Sequence, residues 1–283
     1  MRYLILALSL AIGIVFRVRI GDSFRKLYRG QAIVLGAPLA LLAGWSFRWR
    51  PTSLWVLAVL LAVELGVISF ALWLVSRDRL SPVTAAASTS NSGFWSTPIA
   101  GALFGAPGAA FAVVYDILGA ARPFLIVRTL RKRAPETPSR RSALVDYLPA
   151  TALVVGLVLQ LLGPIPEGAR EAIPWLALVL GGVGFFALGA AMPATFPRRD
   201  DFAAAAPVIP LRFVMPFLSL LLLRSFGVDI PSGAWVVALA PNAFLAIAMA
   251  RLYGYDQRRA AAIPMLAVPI AAALVPFAAW LGR

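Results

Sequence analysis

The chain is organised as long apolar runs separated by short polar or basic segments. Ten runs of 14 to 22 residues are bounded by charged or turn residues. They lie near 3–16, 31–47, 54–75, 83–103, 109–127, 147–162, 173–194, 208–223, 235–250 and 260–281. A helix that crosses a bilayer needs about 20 mostly apolar residues, and unbroken runs disfavour the alternation of transmembrane β-strands. The pattern therefore predicts an all-α polytopic membrane protein of about ten transmembrane helices, which we number spans one to ten.

Composition supports the same class and narrows the chemistry. Of 283 residues, 61% are hydrophobic and 13% are charged, whereas soluble domains contain about 45–50% apolar and about 25% charged residues. Ten helices would use about 200 positions and leave no room for a second, soluble domain. The chain has no cysteine and no histidine, which excludes disulfides, thiol catalysis, Cys/His metal sites and histidine proton relays. We expect no cofactor and no metal.

The basic residues predict the orientation in the membrane. The net charge is +14, yet the Lys and Arg residues lie between apolar runs and form no patch interleaved with aromatic residues, so nucleic acid is not an expected partner. With the N-terminus outside, eighteen Lys and Arg fall in inner loops and six in outer ones, while Arg122 and Arg212 lie within spans. Basic residues concentrate on the cytoplasmic side. We therefore expect a multi-pass protein of the cell (inner) membrane, among anionic lipids, with both termini outside.

The first run has two interpretations. A basic residue followed by an apolar stretch is typical of a cleaved signal peptide. However, the run continues directly into a basic cluster from Arg17 to Arg29, which would oppose translocation of the chain beyond it. We expect the first span to be retained.

The longest polar stretch divides the chain into two halves. It predicts a first five-helix repeat at 1–127, a cytoplasmic connecting loop at 128–146 and a second five-helix repeat at 147–283. Since five is odd, related halves would insert with opposite orientation, as in many secondary transporters. A faint repeat agrees: Leu103-Phe104-Gly105 precedes Ala109-Ala110, and Leu252-Tyr253-Gly254 precedes Ala260-Ala261.

Spans four and nine contain residues that interrupt helices. Span four carries many Ser and Thr hydroxyls together with Asn91, Gly93 and Pro98. The run predicts a helix broken at Asn91 to Gly93 that lines a polar cavity; the alternative is close packing of helices through small residues. Span nine carries Pro241-Asn242, and proline removes a helical hydrogen bond. Both interruptions fall in the fourth span of a half.

These residues resemble a known family. Asn91-Ser92-Gly93-Phe94, Pro98 and Ala102 to Gly105 resemble the fourth-helix pattern of the auxin efflux carrier family, which includes bacterial malonate and malate carriers. The second half is similar in Phe213 to Pro216, Ala240 to Ala243 and Ala250 to Gly254. Ser96 stands where the family often has glycine, and Ala240-Pro241 stands where it often has Met-Pro.

The resemblance implies a ten-helix inverted-repeat carrier whose helices four and nine cross at their prolines beside the substrate. We therefore expect a secondary active transporter of a small organic anion, such as a mono- or dicarboxylate. The expected substrate-binding residues are Asn91, Ser92, Gly93, Pro98, Pro241 and Asn242. The sodium-coupled bile acid symporter fold shares this layout and stays an alternative. The sequence is compatible with a homodimer but does not require one.

Two carboxylates lie inside apolar spans. Glu64 is central in span three, and Asp116 lies in span five. An ionised carboxylate at mid-bilayer costs about 2.5–3.5 kcal/mol or more, so it should be paired, protonated or in contact with water. One interpretation is coupling to a proton or to sodium. The other is a structural bond to Arg122, to Arg212 or to hydroxyls of span four.

An intramembrane enzyme is the main alternative from another functional class. Tyr115-Asp116 and Gly254-Tyr255-Asp256 invite comparison with aspartyl intramembrane proteases, but the second lacks the Gly-x-Gly-Asp motif. The sequence contains neither a Gly-x-Ser-x-Gly nucleophile motif nor an HExxH zinc motif. We expect no enzymatic activity.

Overall fold

The protein is an assembly of helices. The computed structural model describes residues 2–20, 30–77, 80–86, 88–119, 148–193, 195–242, 246–247, 250 and 255–283. In these parts of the chain every regular element is helical. The α-helices are α1 (Arg2–Ile20), α2 (Ala37–Ser46), α3 (Pro51–Ser76), α4 (Pro82–Ala86), α5 (Thr97–Leu118), α6 (Leu148–Leu162), α7 (Glu167–Ala191), α8 (Arg199–Ala205), α9 (Val208–Ser225), α10 (Ser232–Ala238) and α11 (Gln257–Leu281).

The helices have the length and the surface of membrane-spanning segments. Five stretches are long and apolar enough to cross a membrane: Pro51–Ser76, Ser92–Leu118, Glu167–Ala191, Arg199–Ser225 and Gln257–Leu281. Three shorter helical stretches are also apolar: Leu4–Phe16, Ile33–Ser46 and Leu148–Leu162. Leu161 and Leu162 of α6 are 84% and 80% exposed, which a lipid environment accommodates and water does not favour. The chain is an all-α membrane protein.

The ten-span count stays a prediction, because part of the chain lies outside the described residues. The connecting loop at 128–146, the end of span five and Arg122 are among residues 120–147, which the structure does not describe. Most of the second half of span nine is likewise undescribed.

A glycine interrupts α5. Gly105 has φ +66° and ψ −153°, which interrupts the helix at the boundary predicted between spans four and five. A side chain with a Cβ rarely adopts this conformation, whereas glycine does so at little cost. The chain therefore turns at Gly105 without a loop.

Two π-helical turns precede prolines. The turn Ala32–Gly36 lies before Pro38, and the turn Ser92–Ser96 lies before Pro98. Proline cannot donate the usual helical hydrogen bond and crowds the carbonyl four residues earlier. A wider turn at that point accommodates the proline and lets the helix continue.

Two parallel helix pairs pack through glycines. A Cβ at Gly13 of α1 would overlap the carbonyl oxygen of Phe186 on α7, and a Cβ at Gly44 of α2 would lie 2.6 Å from the carbonyl oxygen of Leu153 on α6. Glycines of the partner helices, Gly189 and Gly156, lie equally close to α1 and α2. Small residues allow such close approach of membrane helices. The pairs correspond to spans one and seven and to spans two and six.

The ends of α9 and α11 also meet. Arg224 near the end of α9 donates to the carbonyl of Leu281 at the end of α11, at 3.3 Å. At the opposite end of the bundle, Arg259 forms an ion pair with Asp201, just before α9, at 3.5 Å. The helices α9 and α11, which correspond to the predicted spans eight and ten, therefore run parallel.

Candidate functional site

Spans four and nine are both interrupted inside the bundle. The helix α4 ends at Ala86, and helical structure resumes with the π turn at Ser92. The helix α10 ends at Ala238, and Pro241 and Asn242 are not helical. The sequence placed the first break at Asn91 to Gly93, but the interruption lies mainly before Asn91, while Ser92 and Gly93 belong to the following helical turn. A π turn that starts at Ser92 accommodates Pro98, so the second helical segment begins at an earlier residue than the sequence predicts.

The two interruptions contact each other, and we call this contact the crossover. Ser90 and Asn242 form an isolated antiparallel β-bridge. The backbone N–H of Asn91 donates to the carbonyl of Pro241 at 2.9 Å. Because each broken helix leaves backbone groups without helical partners, pairing between the breaks satisfies part of that demand. The only two asparagines of the chain, Asn91 and Asn242, thus lie at one point and are both buried.

Glu64 supports the crossover from span three. It is 1% exposed, and its Oε1 accepts the backbone N–H of Ser90 at 2.6 Å. Its Oε2 accepts the hydroxyl of Tyr115. Glu64 is near the middle of α3, so the crossover lies at the mid-depth of that helix. A buried carboxylate needs such donors, because burial without them is costly.

Asp116 contacts the helix that follows the break. Its Oδ1 accepts the hydroxyl of Ser92 at 2.5 Å. A Cβ at Gly93 would lie 2.8 Å from Oδ2 of Asp116, so glycine at this position leaves room for the carboxylate. The neighbouring Tyr115 bonds Glu64, and span five thereby links the two carboxylates of the site.

Side chains bond the last carbonyls of each half-helix, and two of these carbonyls, those of Ala85 and Val237, also accept the backbone N–H groups of Ser88 and Ala240. In span four, the hydroxyls of Ser88 and Thr89 donate to the carbonyls of Ala85 and Ala86 at 2.7 and 3.1 Å. In span nine the donor is Arg212 of α9, which bonds two carbonyls at the end of α10. Its Nη2 lies 3.0 Å from the oxygen of Val237, and its Nη1 lies 3.3 Å from that of Ala238. Ser96 adds a longer bond, 3.4 Å, to the carbonyl of Val236.

One buried donor at the crossover has no partner among the residues that the structure describes. The Nδ2 of Asn91 is inaccessible to solvent and has no hydrogen-bond acceptor among the described residues. The side chain of Asn91 is 5% exposed and does not cap the turn that starts at Ser92. An unsatisfied buried donor costs about 1–3 kcal/mol. A ligand with an acceptor oxygen would remove that cost.

Five of the six predicted substrate-binding residues lie at the crossover or next to it, and the sixth does not. Asn91, Pro241 and Asn242 form it, and Ser92 and Gly93 follow it directly. Pro98 instead faces α7, where a Cβ at Gly181 would lie 2.6 Å from its ring. Its position favours helix packing over substrate contact. Both predicted ion-coupling carboxylates, Glu64 and Asp116, bond groups of span four.

Sequence reasoning missed three residues of this site. The sequence singles out Asn91 and Asp116 but not their neighbours Ser90 and Tyr115. It suggests Arg212 as a partner for a carboxylate, whereas Arg212 bonds backbone carbonyls of span nine. Its signal was present, since a cation within a predicted span marks a site that must be paired.

Neither a protein-family model nor a curated protein matches this chain. The function is therefore inferred from the residues of the crossover and their geometry.

Proposed function

We propose that the protein is a secondary active transporter of a small organic anion, such as a mono- or dicarboxylate, which binds at the crossover. One observation carries the proposal: two interrupted helices contact each other at mid-depth through Ser90, Asn91, Pro241 and Asn242. Non-helical backbone inside a membrane is tolerated where protein buries it or where it lines a path for solutes. Transporters place their substrate at such paired breaks.

Helix packing supports two inverted repeats. In two related halves, span one corresponds to span six, and span two corresponds to span seven. A packed pair of spans one and seven therefore predicts an equivalent packed pair of spans six and two. Both pairs occur, both are parallel, and both pack through facing glycines. The third spans of the two halves, α3 and α9, contact each other, as do the fourth spans at the crossover. A two-fold relation between the halves explains all four contacts.

The polar groups of the crossover suit a carboxylate. The Nδ2 of Asn91 is a donor that lacks an acceptor among the described residues. The helical stretch that begins at Ser92 starts at the crossover, and the N-terminus of a helix offers backbone N–H groups and a partial positive charge. Both features favour an anion with acceptor oxygens.

The two carboxylates support coupling to a proton or to sodium. Glu64 and Asp116 both contact span four within two residues of Asn91. A negative substrate beside two ionised carboxylates would be repelled. Uptake of a proton or of a cation would remove that repulsion, which links the driving ion to the substrate.

Transport of radiolabelled malonate into proteoliposomes tests the proposal. We expect uptake by the parent protein, and Asn91→Ala and Asn242→Ala should each weaken malonate binding by about 1–3 kcal/mol, because a buried polar partner is lost. Gln160→Ala is the matched control, since this amide bonds the carbonyl of Phe47 away from the crossover. Parent-like transport by both asparagine variants would place the substrate elsewhere.

Coupling is tested in the same vesicles with imposed proton or sodium gradients. In Glu64→Gln with Asp116→Asn, uptake should persist and lose its response to the gradient, because the titrating or cation-binding charge is gone. An unchanged response would assign both carboxylates to structure.

Orientation in the cell membrane is tested with single cysteines, because the chain has none. A cysteine placed between Arg128 and Arg141 should resist an impermeant maleimide in intact cells, since its basic neighbours favour the cytoplasmic side. Labelling of that cysteine in intact cells would reverse the orientation.

A further inference from the structure

Arg212 is the buried cation of the described structure. Of the Lys and Arg side chains that the structure describes, only Arg212 is buried, with 1% of its surface exposed. It lies on α9, which packs beside α10. Such a charge is costly in a membrane interior, so its retention calls for a partner of opposite polarity.

Among the described residues, Arg212 bonds the carbonyls at the end of α10. A helix end exposes carbonyl oxygens that have no helical donor and carry partial negative charge. Here the guanidinium bonds the oxygens of Val237 and Ala238. Pro241, which contacts Asn91, follows Ala238 by three residues. Arg212 therefore fixes the backbone immediately before the crossover.

The same contacts change the electrostatic character of the site. Without Arg212, the carboxylates of Glu64 and Asp116 and the negative end of α10 would oppose the partial positive charge of the helix start at Ser92. The guanidinium of Arg212 places a positive charge against the end of α10, and its burial keeps water from screening that charge. Arginine suits this role, because its planar fork reaches two oxygens and keeps its charge.

We propose that Arg212 is a positioning and specificity-determining residue: it holds the end of α10 in place and biases the crossover towards anions. The specificity half rests on the proposed function, and the positioning half does not.

Hydrogen exchange of the full-length protein in detergent tests positioning. In Arg212→Gln, amides of 236–242 should exchange about tenfold faster, because charge-assisted bonds to Val237 and Ala238 are lost. Arg212→Lys should fall between this variant and the parent. Arg48→Gln, which changes an exposed arginine between α2 and α3, should match the parent. Parent-like exchange in Arg212→Gln overturns positioning.

Calorimetry with malonate and its neutral diamide, malonamide, tests specificity. Arg212→Gln should weaken malonate binding about tenfold and malonamide binding much less, while Arg212→Lys should keep most of the preference. Equal losses for both probes, or an unchanged preference, would overturn the specificity role. If the parent binds neither probe, the proposed dicarboxylate function fails and specificity fails with it, while hydrogen exchange still decides positioning.

Discussion

The helix ends before the breaks in spans four and nine both need donors for their last carbonyls, and they obtain these donors in different ways. The last carbonyls of α4 are bonded by hydroxyls of Ser88 and Thr89, which follow in the chain. The last carbonyls of α10 are bonded by Arg212, which precedes them by 25 and 26 residues. The carbonyls before the span-four break are bonded by neutral neighbours, whereas those before the span-nine break are bonded by a charge from a different helix.

The difference determines how each break depends on the rest of the molecule. A serine or threonine that bonds a carbonyl three residues earlier needs no other helix. A guanidinium that bonds a helix end needs its own helix to be packed in place. Charge-assisted bonds contribute about 1.5–3 kcal/mol, and neutral ones about 0.5–1.5 kcal/mol. We therefore expect the helix end before the span-nine break to be more sensitive to loss of its side-chain donor than the helix end before the span-four break.

The largest effect is expected from Arg212→Met. Removing the guanidinium leaves the carbonyls of Val237 and Ala238 without this donor, so the free energy of unfolding should fall by about 2–4 kcal/mol. Thermal denaturation in detergent measures it. The control Arg48→Met removes an exposed arginine between α2 and α3 and should change stability by about 0.5 kcal/mol or less. A melting temperature equal to the parent's would contradict the contrast between the breaks.

Tyr115→Phe should have an intermediate effect. It removes one donor to Glu64 while Ser90 keeps its bond to the same carboxylate, so we expect a loss of about 1–2 kcal/mol in the free energy of unfolding. The ring keeps its volume, which isolates the hydroxyl. Within Glu64→Gln the same change should cost less, because the charge is gone. Strictly additive costs would show that Tyr115 does not act through Glu64.

The smallest effect is expected from Ser88→Ala. It deletes one buried neutral bond to Ala85, which should lower the free energy of unfolding by about 0.5–1.5 kcal/mol. Ser225 is a matched control, since its hydroxyl makes the same bond three residues back, to Leu222, at an exposed helix end. Water replaces that bond, so Ser225→Ala should be neutral. A loss for Ser88→Ala as large as that for Arg212→Met would remove the distinction between the breaks.

The sequence revealed the span-four break because the side chains that bond its last helical carbonyls are local. The hydroxyl residues beside Asn91 stand next to one another in the sequence, whereas the bond between Arg212 and α10 depends on how two helices pack. The sequence predicts the position of the break less accurately for a related reason. It places Gly93 in the interruption, yet Gly93 lies in a helical turn where Asp116 approaches it from span five.

The pairing of the breaks also required the fold. Proline predicted an interruption at Pro241, but proline alone does not predict which backbone comes to lie against it. The bridge between Ser90 and Asn242 joins residues on opposite sides of the connecting loop. Pro98 shows the reverse case, since its place in the motif suggested substrate contact, while its ring faces Gly181.

The glycine contacts between α1 and α7 and between α2 and α6 have a mechanical consequence. Where a Cβ would overlap the neighbouring carbonyl, as at Gly13 and Gly156, no side chain lies between the two backbones that could rearrange to let one slide past the other. Close-packed interiors of this kind deform little and transmit strain. Each pair should therefore move as one rigid body. Any displacement of the crossing segments would then require a change of backbone conformation at positions such as Gly105, where the backbone already turns.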